Sequence, residues 1–244
     1  MNLGKWLANN ILYAKNKLFE GIEDKHIFKA VFLAGGPGSG KSSVVDAIFN
    51  VPNSKQIQSL TSTGLKIVNL DRAYEYLKKK HKLPIDAKDM DDEQNSLSGK
   101  LMHKARMIAK KQMDFYLEGK LGIIIDGTGG SYNPIATKKK LLEELGYDCY
   151  MIFVDTTMKT AKERNSNRNT RRLLDKIVER NWKSVQANKD AYKQLFGSNI
   201  KVISTEGRDA GELPRGAASH VMKFINSEVQ NPIAKKWIGI AKKQ

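Results

Sequence analysis

The chain has 244 residues, with 42 Lys and Arg against 26 Asp and Glu, giving a net charge of +16. That surplus attracts polyphosphates, nucleic acid or acidic surfaces without choosing among them, and the length suits a single α/β domain with appendages. One cysteine, Cys149, excludes a disulfide framework and any cluster of thiolate metal ligands; no apolar run approaches the ~20 residues of a membrane span, so the expectation is a cytoplasmic protein without an integral span.

The chain opens with Leu3, Trp6, Leu7, Ile11, Leu18 and Phe19 at partly helical spacing, with Lys5, Lys15 and Lys17 between them. This predicts an amphipathic helical extension over residues 1–26 that docks on the domain, with a membrane-surface or partner-binding arm as the alternative. Asn9 and Asn10 interrupt it, which spoils it as a signal-peptide core.

Residues 27–34 read as a buried strand, and Gly35-Gly36-Pro37-Gly38-Ser39-Gly40-Lys41-Ser42-Ser43 follows at the spacing of a Walker A loop. Glycines there permit the backbone angles that turn several N–H groups inward around a phosphate. Lys41 then reaches the β- and γ-phosphate oxygens, the Ser42 hydroxyl ligates Mg²⁺, and a helix opening at about Lys41 aims its positive end at the same anion. A nucleoside triphosphate with Mg²⁺ is the ligand this predicts.

A second strand, 65–70, ends at Asp71 before a helical run over 72–80. In an open parallel sheet ligands sit beyond the carboxyl ends of the strands, so Asp71 either carries chemistry or caps the helix, and it can do both. Residues 82–98 are acidic, lack apolar periodicity and contain Pro84; they read as an exposed excursion, a solvated loop or a cap over substrate. The next helix carries Leu101, Met102, Ala105, Ile108, Ala109, Met113 and Tyr116 on one stripe, which reads as core.

The third strand, 121–125, is continuously apolar and ends in Asp126-Gly127-Thr128-Gly129-Gly130. An apolar strand ending in Asp downstream of a P-loop is the Walker B arrangement, so Asp126 is the second candidate for holding Mg²⁺. A helix over 134–145 and a strand over 148–154 follow. Residues 157–172 are the most basic stretch, and in a continuous helix Arg164, Arg168, Arg171 and Arg172 share one face. That face reads as a phosphate-clamping lid, with a solvated or nucleic-acid-binding surface as the alternative. The helical pattern runs on through Trp182, Val185, Tyr192 and Leu195; a fifth strand occupies 200–204, a terminal helix 217–229, and a basic tail 230–244. Strands alternating with helices over 27–229 predict an α/β fold with a doubly wound parallel sheet.

These pieces together resemble the P-loop kinases of the zeta-toxin and polynucleotide-kinase type, frequent in phage genomes: GGPGSGKSS at 35–43, strand plus Asp71, strand plus Asp-Gly-Thr at 126–128, and AKERNSNR at 161–168. The resemblance implies a P-loop NTPase fold with five parallel strands in the order 2-3-1-4-5. It also implies Asp71 as general base for an acceptor hydroxyl, and Arg164 and Arg168 as lid arginines. Zeta toxins usually follow their acidic-Gly-Thr motif with an Arg that helps hold a sugar nucleotide; Gly129 and Gly130 stand here instead, which counts against a UDP-sugar acceptor more than against kinase activity.

The leading expectation is therefore an ATP-dependent kinase acting on a hydroxyl of a nucleotide, sugar nucleotide or nucleic-acid 5′ end, with Lys41, Asp71, Asp126, Arg164 and Arg168 as its catalytic residues. The rival classes are a nucleotide hydrolase or switch, and a basic nucleic-acid-binding or virion-interaction protein on a degenerate kinase fold.

Overall fold

The computed structural model describes residues 22, 24–50, 61–84, 86, 89–168 and 172–243; residues 1–21 and 23 of the expected amphipathic extension, and Arg171, lie outside them. Five parallel strands, β1 (Lys29–Ala34), β2 (Lys66–Val68), β3 (Ile123–Ile125), β4 (Asp148–Asp155) and β5 (Ile200–Ser204), form one sheet in the order β2-β3-β1-β4-β5. This is the expected P-loop NTPase topology. Phe32 of the central strand sits level with Ile125 on one side and Met151 on the other.

Every residue of β1 is buried, which explains why its sequence shows no alternation: a parallel strand is covered on both faces. Val31 and Leu33 point to one layer, against Val44, Val45, Ile48 and Phe49 of α1 (Lys41–Phe49). Ala217, Val221 and Ile225 of α8 (Ala217–Asn226) complete that layer. Ala30, Phe32 and Ala34 point to the other. There they meet Leu142 of α4 (Tyr132–Glu144), Val185 of α6 (Asp175–Ala187), and Tyr192 and Phe196 of α7 (Lys189–Phe196).

Beside the sheet, α2 (Leu70–Lys80) and α3 (Asp92–Glu118) form a smaller apolar cluster of their own around Ala73, Leu77, Leu101 and Ala105. Here one expectation is corrected. Residues 92–98 are not an excursion but the first turns of α3, which Asp91 opens with a reciprocal capping box to Gln94. The Gln94 N–H donates to Asp91 Oδ1 at 2.7 Å and the Asp91 N–H to Gln94 Oε1 at 3.2 Å.

The long helix expected from 157 onward is also corrected. It is three helices: α5 (Met158–Ser166), α6 and α7. The break after α5 has a local cause in the fully buried Asn165, whose Nδ2 donates to Leu173 O at 2.8 Å while its Oδ1 accepts from Leu173 N at 3.1 Å. A side chain that satisfies the backbone of a residue eight positions on competes with continued helix.

The terminal helix stops at Asn226, and most of the tail forms α9 (Pro232–Ala241), capped by Asn231 and opened by Pro232. Buried Ala234 and the edge-on contact of Trp237 with Phe28, at 5.6 Å between ring centroids, dock α9 on the core. Cys149 is buried, and burial pushes its thiol well above the usual range, so it is an inert part of the packing. Among the described residues no helix is long and apolar enough to cross a membrane.

Candidate active site

The loop between β1 and α1 is built around close approaches. At Gly38, φ is 77°, and a Cβ there would stand 2.2 Å from the Ala161 carbonyl of α5; only glycine lets the loop pass beneath that helix. The N-terminus of α1 has no side-chain cap at Gly40 and no acidic residue in its first turn, so its first-turn N–H groups are left for an anion. Ser42 is exposed at this end of the helix.

Lys41 forms an ion pair with Asp126, and both side chains are 18% exposed. Asp126 follows β3 directly, with its own N–H bonded to Val68 O at 3.1 Å, so adjacency of β3 to β1 delivers the carboxylate to the loop. Its second oxygen accepts from Asn69 Nδ2 at 2.6 Å. Asn69 in turn caps α2, its Oδ1 accepting from Asp71 N at 2.8 Å and Arg72 N at 3.3 Å.

Two readings of the second strand are corrected by this geometry. β2 ends at Val68 rather than running to Asp71, and the helix cap is Asn69. Asp71 lies in the first turn of α2 and is exposed, and among the described residues no side chain pairs with its carboxylate. A carboxylate in a helix's first turn is favoured by the helix dipole, and Asp71 faces solvent there beyond the carboxyl end of β2.

The basic stretch is also rearranged. Arg164, near the end of α5, uses its guanidinium fork on the segment after β5: Nη1 donates to Thr205 Oγ1 at 2.8 Å, and Nη2 to Thr205 O at 2.7 Å and Arg208 O at 3.2 Å. A Cβ at Gly40 would stand 3.5 Å from Arg164 Nη1, so the cation lies directly against the loop. Arg168 is exposed beyond the end of α5. The two arginines therefore do not share one helix face, because α5 ends at Ser166.

Thr205 and Glu206 were not legible as site residues. The Thr205 hydroxyl, besides accepting from Arg164, donates to Ser39 O of the loop at 2.8 Å, tying the P-loop to Arg164. Glu206 accepts from Thr160 Oγ1 at 2.6 Å, Thr157 N at 3.0 Å and Thr156 Oγ1 at 3.0 Å. These bonds, with Thr160 contributing most, hold its carboxyl down to about 2 and fasten the N-terminus of α5. A lone Thr-Glu after a strand carries no motif.

Gly129 explains the departure from the zeta-toxin pattern. A Cβ there would lie 2.6 Å from Ala34 Cβ, and its carbonyl accepts from Tyr192 OH at 2.9 Å and Asn188 Nδ2 at 3.1 Å. No arginine can stand at that position. A cavity of about 360 Å³ between β4, β5, α5 and α6 is lined by Thr156, Trp182, Gln186, Ser204 and Glu206, and by no residue of the P-loop.

Chemically, the site offers one ammonium, an open helix N-terminus, and two oxygen donors, the Ser42 hydroxyl and the Asp126 carboxylate. That donor set fits Mg²⁺, which takes its remaining ligands from phosphate and water.

Residues 31–195 match a family model described as an AAA domain. Among solved structures, a chain of the AvrRxo1-ORF1:AvrRxo1-ORF2 complex with sulphate ions superposes with a TM-score of 0.59 at 15% identity, covering 91% of this chain and 71% of that one. A chain of the same complex with ATP gives 0.55 at 14% identity, covering 88% and 71%. A chain of the PezAT toxin-antitoxin system of Streptococcus pneumoniae gives 0.47 at 13% identity, covering 100% and 96%. At such identities the likeness to the two AvrRxo1 complex chains is one of fold. No curated protein matches the sequence.

Proposed function

The chain belongs to the AAA domain family whose model it matches, and on that premise we propose that it is an ATP-dependent kinase. It transfers the γ-phosphate to a hydroxyl of a nucleotide, a sugar nucleotide or a nucleic-acid 5′ end. The observation that carries this reading is the run of contacts from Lys41 through Asp126 and Asn69 to the first turn of α2. It links Lys41, the Asp126 carboxylate and the helix turn that carries the exposed Asp71 at the carboxyl ends of β1, β3 and β2, and on this reading they are the phosphate-binding lysine, the metal-holding carboxylate and the acceptor's base. A hydrolase or switch needs only the first two; the third is what a hydroxyl acceptor adds. The ATP complex of the similarly folded AvrRxo1-ORF1:-ORF2 chain supports the choice of nucleotide.

When bound, the triphosphate supplies the phosphoryl group and Mg²⁺ neutralises charge on its oxygens, with Ser42 and Asp126 as the residues that would hold the ion. Lys41 exchanges its pairing with Asp126 for phosphate oxygens. Asp71 orients the acceptor hydroxyl and takes its proton as the new oxygen–phosphorus bond forms and the bond to the β-phosphate oxygen breaks. Arg164, already against the loop, and Arg168, beyond α5, are the side chains offered to charge developing on the transferring group.

The test is ATP consumption measured against nucleosides, sugar nucleotides and 5′-hydroxyl oligonucleotides, with ATP alone as reference. Turnover that appears with one acceptor class supports the kinase. Equal hydrolysis with and without every acceptor overturns it.

A further inference from the structure

Asn69 is the residue through which the two halves of the proposed site touch. Its side-chain amide is used on both sides: Oδ1 accepts two backbone N–H groups at the start of α2, and Nδ2 donates to Asp126 Oδ2 at 2.6 Å. The orientation of the amide is set by these partners, since only the oxygen can accept from Asp71 N and Arg72 N, and only the nitrogen can donate to a carboxylate. Among side chains that cap helices well, Asp lacks the donor, and Ser and Thr have too short a reach with one proton. Asn alone serves both contacts.

Asp126 is held at its other oxygen by Lys41. On the kinase reading, on which this inference rests, Lys41 is the partner that a phosphate draws away. Among the described residues, Asn69 is then the side-chain contact that remains to fix the direction of the carboxylate. We infer that Asn69 is a positioning residue: it aims Asp126 for a divalent cation and couples that carboxylate to the helix that carries Asp71. Partners one step removed from a metal are worth roughly 10- to 100-fold in metal affinity or activity, far more than a surface cap contributes to ligand binding.

Two variants of the full chain separate positioning from capping. Asn69→Ser keeps a capping oxygen and loses the contact to Asp126; Asn69→Ala loses both. Three quantities are measured for each: the melting temperature without ligand, ATP affinity by calorimetry in EDTA, and the Mg²⁺ concentration at which ATP affinity is half-enhanced. The expected result is a wild-type melting temperature for Ser and one a few degrees lower for Ala. Metal-free ATP affinity stays unchanged in both, and the Mg²⁺ midpoint rises roughly 10- to 100-fold in both. A Ser variant with the wild-type Mg²⁺ midpoint overturns the assignment and leaves Asn69 a cap. Wild-type protein that binds no ATP overturns the kinase reading and this inference together.

Discussion

At the amino ends of the strands Lys29 meets Asp148 and Lys66 meets Asp24, with no side chain in either pair more than 10% exposed; at the carboxyl ends Lys41 meets Asp126 with both side chains 18% exposed. The chemistry is the same and the surroundings differ. Lys29 also donates to Ser227 Oγ at 3.2 Å and Glu228 O at 3.3 Å, and Asp148 also accepts from Gln230 N at 2.8 Å and Asn231 N at 2.9 Å. The pair is saturated by the chain itself and locks the entrance to α9. Lys41, by contrast, donates only to Asp126 among the described residues. Its other protons are available to a ligand. A saturated pair contributes order, whereas an open one retains capacity for binding.

The sharpest way to break the comparison is at the open end. Asp71→Asn should lower phosphoryl transfer by roughly 10²- to 10⁴-fold, the contribution of a general base. Melting temperature should hardly change, since an exposed first-turn carboxylate contributes only ~0.3–1 kcal/mol to a helix. Initial rates with the acceptor identified by the panel, alongside a thermal melt, check this; wild-type transfer by the variant would remove Asp71 from the mechanism.

At the sealed end the effect should be on stability. Asp148→Ala strands Lys29 in the core and should cost about 3–5 kcal/mol, read from denaturant unfolding, while ATP affinity per folded molecule is unchanged. A loss below about 1 kcal/mol would mean the pair is no better sealed than a surface one.

The smallest effect concerns Glu206, which lies between these extremes as a carboxylate saturated by α5. Its folded value, about 2, is depressed below the usual 4.5, so its stabilisation is complete above the unfolded value and disappears as pH falls through the folded one. Melting curves of wild type and Glu206→Gln should therefore be separated at pH 7 and converge between pH 4.5 and 2. Parallel curves over that window would show that Glu206 is not fastened to α5 as described.

The open end was largely legible in the sequence because its chemistry has fixed spacing. Gly38, Lys41 and Ser42 occupy positions dictated by backbone geometry and reach, and Asp126 follows an apolar run that could only be a central strand. What escaped were contacts made by residues with ordinary local roles. Asn69 and Asp71 are two residues apart and both are good caps, so spacing alone could not say which one ends the strand. Asn165 breaks the basic helix through Leu173, a bond that helical periodicity does not register. Asn231 caps α9 and Pro232 opens it, but a run of lysines there reads as a tail until Ala234 and Trp237 are seen against the core. Thr205 becomes meaningful only when β5 lies beside β4 and its hydroxyl meets the loop.

The most direct test of the difference between the two ends is a calorimetric titration of ATP with Mg²⁺ into wild-type protein and Lys41→Ala, each with a parallel melt. The account predicts saturable binding in the wild type, at least about tenfold weaker in the variant for loss of a charge-assisted contact, at an unchanged melting temperature. Equal affinity in both proteins, or a variant that unfolds as Asp148→Ala is expected to, would contradict it.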